Sequence, residues 1–233
     1  MTFMAVSDAK HRFLIVESGA SGKRADANIF HKSTFARKLR NGELNLPPPC
    51  PVEGVNGDLP FFFLGDNAYP RTGNFATPFK GASLRDEEIV YNYCISRARR
   101  IVENAFGILV ARFRIMLRPI EESPSLVRAI FLACLALHNF HLQDEECVAP
   151  QRRKYKPYGY TDYIRADGKY IYGSWRNENP EKETTIFKKL SSQVAEAHHQ
   201  KKNALKGEEL AEKLIRHFVF KPVPWQWEKA FLI

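Results

Sequence analysis

No run in this chain approaches the roughly 18 consecutive apolar residues that crossing a bilayer requires. The opening MTFMAVSDAKHRF also lacks the apolar core of a secretory signal. Cysteine is sparse. Cys50, Cys94, Cys134 and Cys147 have no tightly paired spacing, so they read as reduced thiols of an intracellular protein rather than as a disulfide frame. Zinc is the other use to weigh, because Cys134, His138 and His141 share one apolar helical run. Structural zinc sites usually draw ligands from turns or knuckles. A core thiol with helix-end histidines is the favoured reading. Acidic residues are outnumbered by basic ones, 26 to 35, leaving a net charge of +9 and a pI of about 9.4. That surplus favours a polyanionic partner, with a soluble protein that is simply basic as the plain alternative. Internal repeats are absent.

What is there suits a globular chain. At 233 residues, 44% hydrophobic and 12% aromatic, it can hold one sizeable domain plus an appendage, or two small ones. Residues 3–17 read as a hairpin, two apolar runs around Ser7-Asp8-Ala9-Lys10, with Asp8 most simply a turn residue. A glycine loop from Gly19 to Gly22 follows. Asp26 then precedes Ile29 and Phe30, either as a helix N-cap or as an acid on an active-site loop. Residues 41–60 are dense in proline and glycine and read as a loop. Phe61 to Leu64 is wholly apolar, which predicts a strand buried on both faces. Asp66 would stand at its C-terminal end, where open α/β sheets place ligands, or would be a turn aspartate after Gly65.

Asp86-Glu87-Glu88 then opens a helix. In the stretch from Tyr91 to Leu117, apolar residues at Ile95, Ala98, Val102, Ala105, Phe106 and Leu109 recur at helical spacing. The only acid in it is Glu103, beside Arg97, Arg99, Arg100, Arg112 and Arg114, with Arg118 one residue beyond. By itself Glu103 is most simply an ion-pair partner for Arg99 or Arg100. The other reading is a metal ligand on a helix whose arginines face phosphates. Gly107 is a weak point or a close-packing site. Arg112 to Ile115 alternates, Pro119 ends the segment, and Ser123-Pro124 caps a second, apolar helix. From residue 148 to 182 periodicity is lost, while tyrosines interleave with Arg and Lys. This reads as an irregular or disordered tail, a packing extension, or a composition able to stack on single-stranded bases. Residues 183–217 are charged and moderately helical, and the apolar end carries Trp225 and Trp227.

Four blocks resemble the DDE superfamily endonuclease domain of Harbinger-type transposases and their domesticated relatives. They are VSDAKHRFLIVESGASGKRADANIF, LGDNAYP followed by TPF, YNYCISRARRIVENAFGILVARFRIML, and the helix ending ALHNF, in the family's order over about residues 3–142. The resemblance implies an α/β, RNase H-like mixed sheet with flanking helices, over residues 1–146. Residues 147–233 would be an irregular or helical C-terminal extension. It implies a nuclear protein, with the cytoplasm as a second place, and no membrane. DNA would be the partner, together with a separate DNA-binding protein.

It also implies a site. Asp26, Asp66 and Glu103 match acidic positions that hold Mg²⁺ or Mn²⁺ for phosphodiester cleavage, with Asp66 and Glu103 catalytic. The 37-residue step from Asp66 to Glu103 resembles the spacing of the family's last two acids. Arg97, Arg99, Arg100, Arg112 and Arg114 would meet DNA. The family's first catalytic aspartate and its amino-terminal DNA-binding region have no match here, which implies a truncated chain with impaired cleavage. The alternative is a non-catalytic DNA- or protein-binding module that keeps the fold.

Overall fold

The computed structural model describes residues 3–18, 30–178, 201–220, 222–223 and 226–230. The Gly19–Gly22 loop, Asp26 and Trp225 lie outside them. In chain order the elements are β1 (Phe3–Ser7), β2 (Phe13–Ser18), α1 (Thr34–Arg40), β3 (Cys50–Pro51), β4 (Asp58–Leu59), β5 (Phe63–Leu64) and β6 (Phe75–Ala76). Then come α2 (Asp86–Arg112), α3 (Pro124–Asp144), β7 (Tyr163–Ile164), β8 (Tyr170–Ile171), α4 (Lys201–Phe220) and α5 (Gln226–Ala230). Two compact units result, Met1–Gly22 with Arg100–Leu190, and Lys23–Arg99 with Ser191–Ile233. Each is built from two stretches of chain, and α2 runs through both.

In the first unit the expected hairpin forms. β1 and β2 pair antiparallel, and Asp8 shapes the turn. Its carboxylate accepts the backbone N–H groups of Lys10 and Arg12, each at 2.9 Å, and the Arg12 guanidinium at 2.8 Å. Phe13 of β2 enters a core with Ala105 and Leu109 of α2 and Cys134 and Leu135 of α3. Ser123 caps α3, its hydroxyl accepting from the Leu126 N–H, with proline at the first turn. By length and composition α3 is apolar enough to cross a membrane. It holds no unbroken apolar run of that length, because Arg128, His138, Asn139 and His141 interrupt it. Within its unit one face of α3 packs, with Cys134, Leu135, His138 and Leu142 buried, while Leu126, Leu132, Leu137 and Phe140 are exposed. The Asn139 amide bonds both the N–H and the carbonyl of Phe13, each at 2.8 Å.

Residues 148–178 are packed, which removes the reading of a disordered tail for that stretch. Glu145, just past α3, accepts the backbone N–H groups of Lys154, Tyr155 and Lys156. Tyr160 and Trp175 then bury against Ile108 and Ala111 of α2. Full burial of side chains this size contributes about 1.5–3 kcal/mol each. Gly107 is the close-packing site that its position suggested. A Cβ there would lie 2.6 Å from the Trp175 ring. Composition hid this packing because tyrosine and tryptophan among charges carry no period.

In the second unit α4 supplies Leu210, Ala211, Leu214 and Ile215 to a core with Leu59, Ala76, Tyr91 and Ile95. Gly207 lets α4 come within 2.8 Å of the Arg71 backbone, measured from the Cβ that any other residue would carry. Arg71 and Glu208 add an ion pair at 3.0 Å. Phe61 to Leu64 departs from expectation. Only Phe63 and Leu64 are strand, both half-buried, and Phe61 is 43% exposed. With Pro60 before it and a two-residue ladder beside it, the run cannot be covered on both faces. Among the described residues, strands pair only as four two-stranded ladders, of which β5–β6 is parallel. The described architecture is thus mixed helix and small sheet, without the single mixed sheet that was expected.

Candidate functional site

Asp66 follows the parallel pair β5–β6, at its C-terminal edge. Gly65 makes the approach: its N–H donates to the Ala76 carbonyl at 2.9 Å. A Cβ on it would collide with the Phe75 ring. Asp66 Oδ1 accepts the Ala68 N–H at 2.9 Å, so the residue does shape a turn. Its other oxygen faces Arg99 at 4.0 Å. Asp66 is thus a turn carboxylate whose second oxygen faces a guanidinium.

Glu103 lies in the first unit, half-buried on α2. Among the described residues no hydrogen bond or ion pair reaches its carboxylate. The expected pairing with Arg99 or Arg100 is not made. Arg99 turns toward Asp66, and Arg100 lies over the Tyr170 ring, 4.6 Å from its centroid. Arg114 is exposed in a short 3₁₀ turn, Arg114–Leu117, where alternation had been expected. Arg97 is half-buried on α2. Arg112 is committed to the fold. Its Nε donates to the Tyr155 carbonyl at 2.9 Å and its Nη2 to the Lys154 carbonyl at 3.2 Å. The same guanidinium lies 4.4 Å from the Tyr160 ring centroid.

Asp66 and Glu103 belong to different compact units, and Asp26 lies outside the described residues. Carboxylate oxygens are the hard donors that Mg²⁺ or Mn²⁺ takes. Glu103 offers two that no described group occupies. Among the described residues, however, no group of three or more His, Cys, Asp or Glu side chains gathers to hold a metal. The described residues supply donors of the right chemistry without a complete donor set.

A polar cluster beside Glu103 was not legible in the sequence. The Asn104 amide donates to the Asp162 carbonyl, and its oxygen accepts the Asp162 N–H and the Trp175 indole N–H at 2.9–3.0 Å. The buried Asp162 carboxylate accepts from Arg176, from the Gly173 N–H and from the Tyr170 hydroxyl. Burial pushes the Asp162 carboxyl up, yet those three donors together hold it below the usual carboxylate range. A second buried cluster joins hairpin and helix. One His138 ring nitrogen meets the Tyr155 hydroxyl at 2.8 Å and the other donates to the His11 carbonyl at 2.9 Å. Burial drives the His138 imidazole down to about 4, against the His11 carbonyl, which favours the charged form. These partners lie 17 to 127 residues apart in sequence, and nothing in either local pattern announces the other. Sparse polar residues at helix positions otherwise apolar, Asn104 and His138, were the one available signal.

The profile of the DDE superfamily endonuclease matches residues 1–139, more than half of the chain. The chain belongs to the DDE superfamily endonuclease family. The match covers β1 through most of α3, and so includes Asp66 and Glu103. Endonucleases of this family act on DNA and generally use divalent metals. A protein of Arabidopsis thaliana described as "Protein ALP1-like" is 28% identical over 148 residues, covering 63% of this chain and 36% of its own length. The chain thus spans about a third of the length of that curated relative. No solved structure matches it.

Proposed function

We propose that this chain is a Harbinger-type, transposase-derived protein with an RNase H-like core that acts on DNA, and that Asp66 and Glu103, with Asp26, hold divalent cations. Residues 1–146 are then the endonuclease-like part and residues 147–233 a basic, aromatic-rich extension. Its workplace is the nucleus, with a separate DNA-binding protein as partner. One observation carries the reading. Glu103 is a half-buried carboxylate left without a partner among the described residues, although Arg99 and Arg100 stand one turn away. A half-buried carboxylate without a protein partner keeps its oxygens for water or for a hard cation. When bound, Mg²⁺ or Mn²⁺ supplies a more acidic attacking water and neutralises the leaving oxygen of a phosphodiester. Arg97, Arg99, Arg100 and Arg114 would meet phosphates, while Arg112 holds the extension.

Duplex binding tests this reading. Affinity should fall steeply with salt, and Arg100→Ala with Arg114→Ala should flatten the slope of log K against log salt by about 2. Salt-insensitive binding would contradict it. With Mg²⁺ the chain should nick DNA slowly or not at all, because no trio of carboxylates gathers among the described residues. Full turnover would show that such a trio does form. A second reading, a DNA-binding module without cleavage, draws on the absence of a gathered ligand trio among the described residues. Strong salt-dependent binding without nicking or metal uptake would select it.

A further inference from the structure

The hairpin β7–β8 exposes Tyr163 on one side and, just past its second strand, Tyr172 on the other, and it fixes the surroundings of Tyr172. Tyr172, just past β8, is 69% exposed. Tyr170 lies two residues earlier, on the same side of the strand. The two rings meet edge to face, 4.8 Å between centroids at 84°. The Tyr170 hydroxyl donates to Asp162 at 2.6 Å, and the Arg100 guanidinium lies over its ring. Arg176 lies 5.2 Å from the Tyr172 ring centroid and is itself held by its ion pair with Asp162. Arg165 and Lys169 flank the turn between the strands. Arg165 pairs with Asp167 and Arg176 with Asp162, and Arg100 and Lys169 add positive charge beside them.

An exposed ring held beside cations suits a base that stacks on it while its phosphates meet the guanidinium and ammonium groups. The described neighbours of the ring are Tyr170 and the Arg176 guanidinium, with Arg165 and Lys169 at the turn, and a cationic surround of this kind fits phosphates. Arg100 also precedes Glu103 by one helical turn, which places the ring beside the helix of the candidate site. We propose that Tyr172, with Arg100 and Arg176, is a stacking site for an unpaired nucleobase of single-stranded DNA, such as a strand end next to the duplex. This site rests on the reading of the chain as a DNA-acting protein.

The test measures fluorescence anisotropy of the full chain with a blunt duplex and with the same duplex carrying a short single-stranded overhang. The overhang should tighten binding about tenfold. Tyr172→Ala should remove that gain and leave blunt-duplex affinity unchanged. Tyr172→Phe, which keeps the ring, should preserve it. Tyr163→Ala, on the opposite side of the hairpin, should preserve it as well. Equal affinity for both DNAs in the unaltered chain would overturn the stacking site and leave the duplex reading standing. Loss of blunt binding with a Tyr172-dependent affinity for single strands would overturn the duplex reading and support the site. Binding to neither DNA would overturn both. An overhang gain that survives Tyr172→Ala would overturn the site, as would loss of self-association as that variant's only effect, which would assign the ring to a protein contact.

Discussion

Arg112 and Glu103 sit on the same helix, nine residues apart, and their surroundings could hardly differ more. At Arg112 the guanidinium donates to two carbonyls, stacks on Tyr160 and lies 3.9 Å from Glu178. At Glu103 nothing described reaches the carboxylate. Charge pattern alone treats both as members of one Arg-rich stripe with a single acid. The structure separates them into a charge used up by the fold and a charge left over. A used charge holds the extension on the helix. A left-over charge in a half-buried place is where an external ion has most to gain.

Three substitutions or titrations probe that contrast, each followed by the fluorescence of Trp175 with Trp225 and Trp227 replaced by Phe. Arg112→Ala should have the largest effect, a loss of about 3 kcal/mol in urea unfolding, since bonds from a charged donor are worth about 1.5–3 kcal/mol each. A loss near zero would mean that Arg112 is free for another role. Acid comes next, through His138. Its folded value is near 4 against an ordinary 6.5, so the unfolded chain binds that proton more readily between those pH values. Its contribution is full above about pH 7 and falls by about 2 kcal/mol toward pH 4.5. His138→Gln should flatten that part of the stability profile. An unchanged slope would place the acid response elsewhere, with His11 the first alternative because burial also lowers it to about 4. Glu103→Gln should change stability least, within about 0.5 kcal/mol, because no described partner is lost. A large loss would show that the fold does use that carboxylate.

Much of the local structure was legible. Helical spacing found α2, Ser123-Pro124 fixed the start of α3, and Asp8 marked the hairpin turn, because each rests on residues within one turn of one another. Phe61 to Leu64 misled because an apolar run states that burial is wanted, not that two faces are available. The packing of residues 148–178 was harder still. Asn104 finds Asp162 at a separation of 58 residues and Trp175 at 71, and such pairings leave no periodic trace. For the candidate site, sequence order and residue type named Asp66 and Glu103. What it could not show is that Arg99 turns to one carboxylate and that Arg100 leaves the other.

Calorimetric titration with Mn²⁺ bears most directly on the proposed role of those carboxylates. The unaltered chain should give a binding isotherm, and Asp66→Ala and Glu103→Ala should each abolish it while leaving the Trp175 unfolding transition in place. An isotherm unchanged in both variants would contradict the assignment.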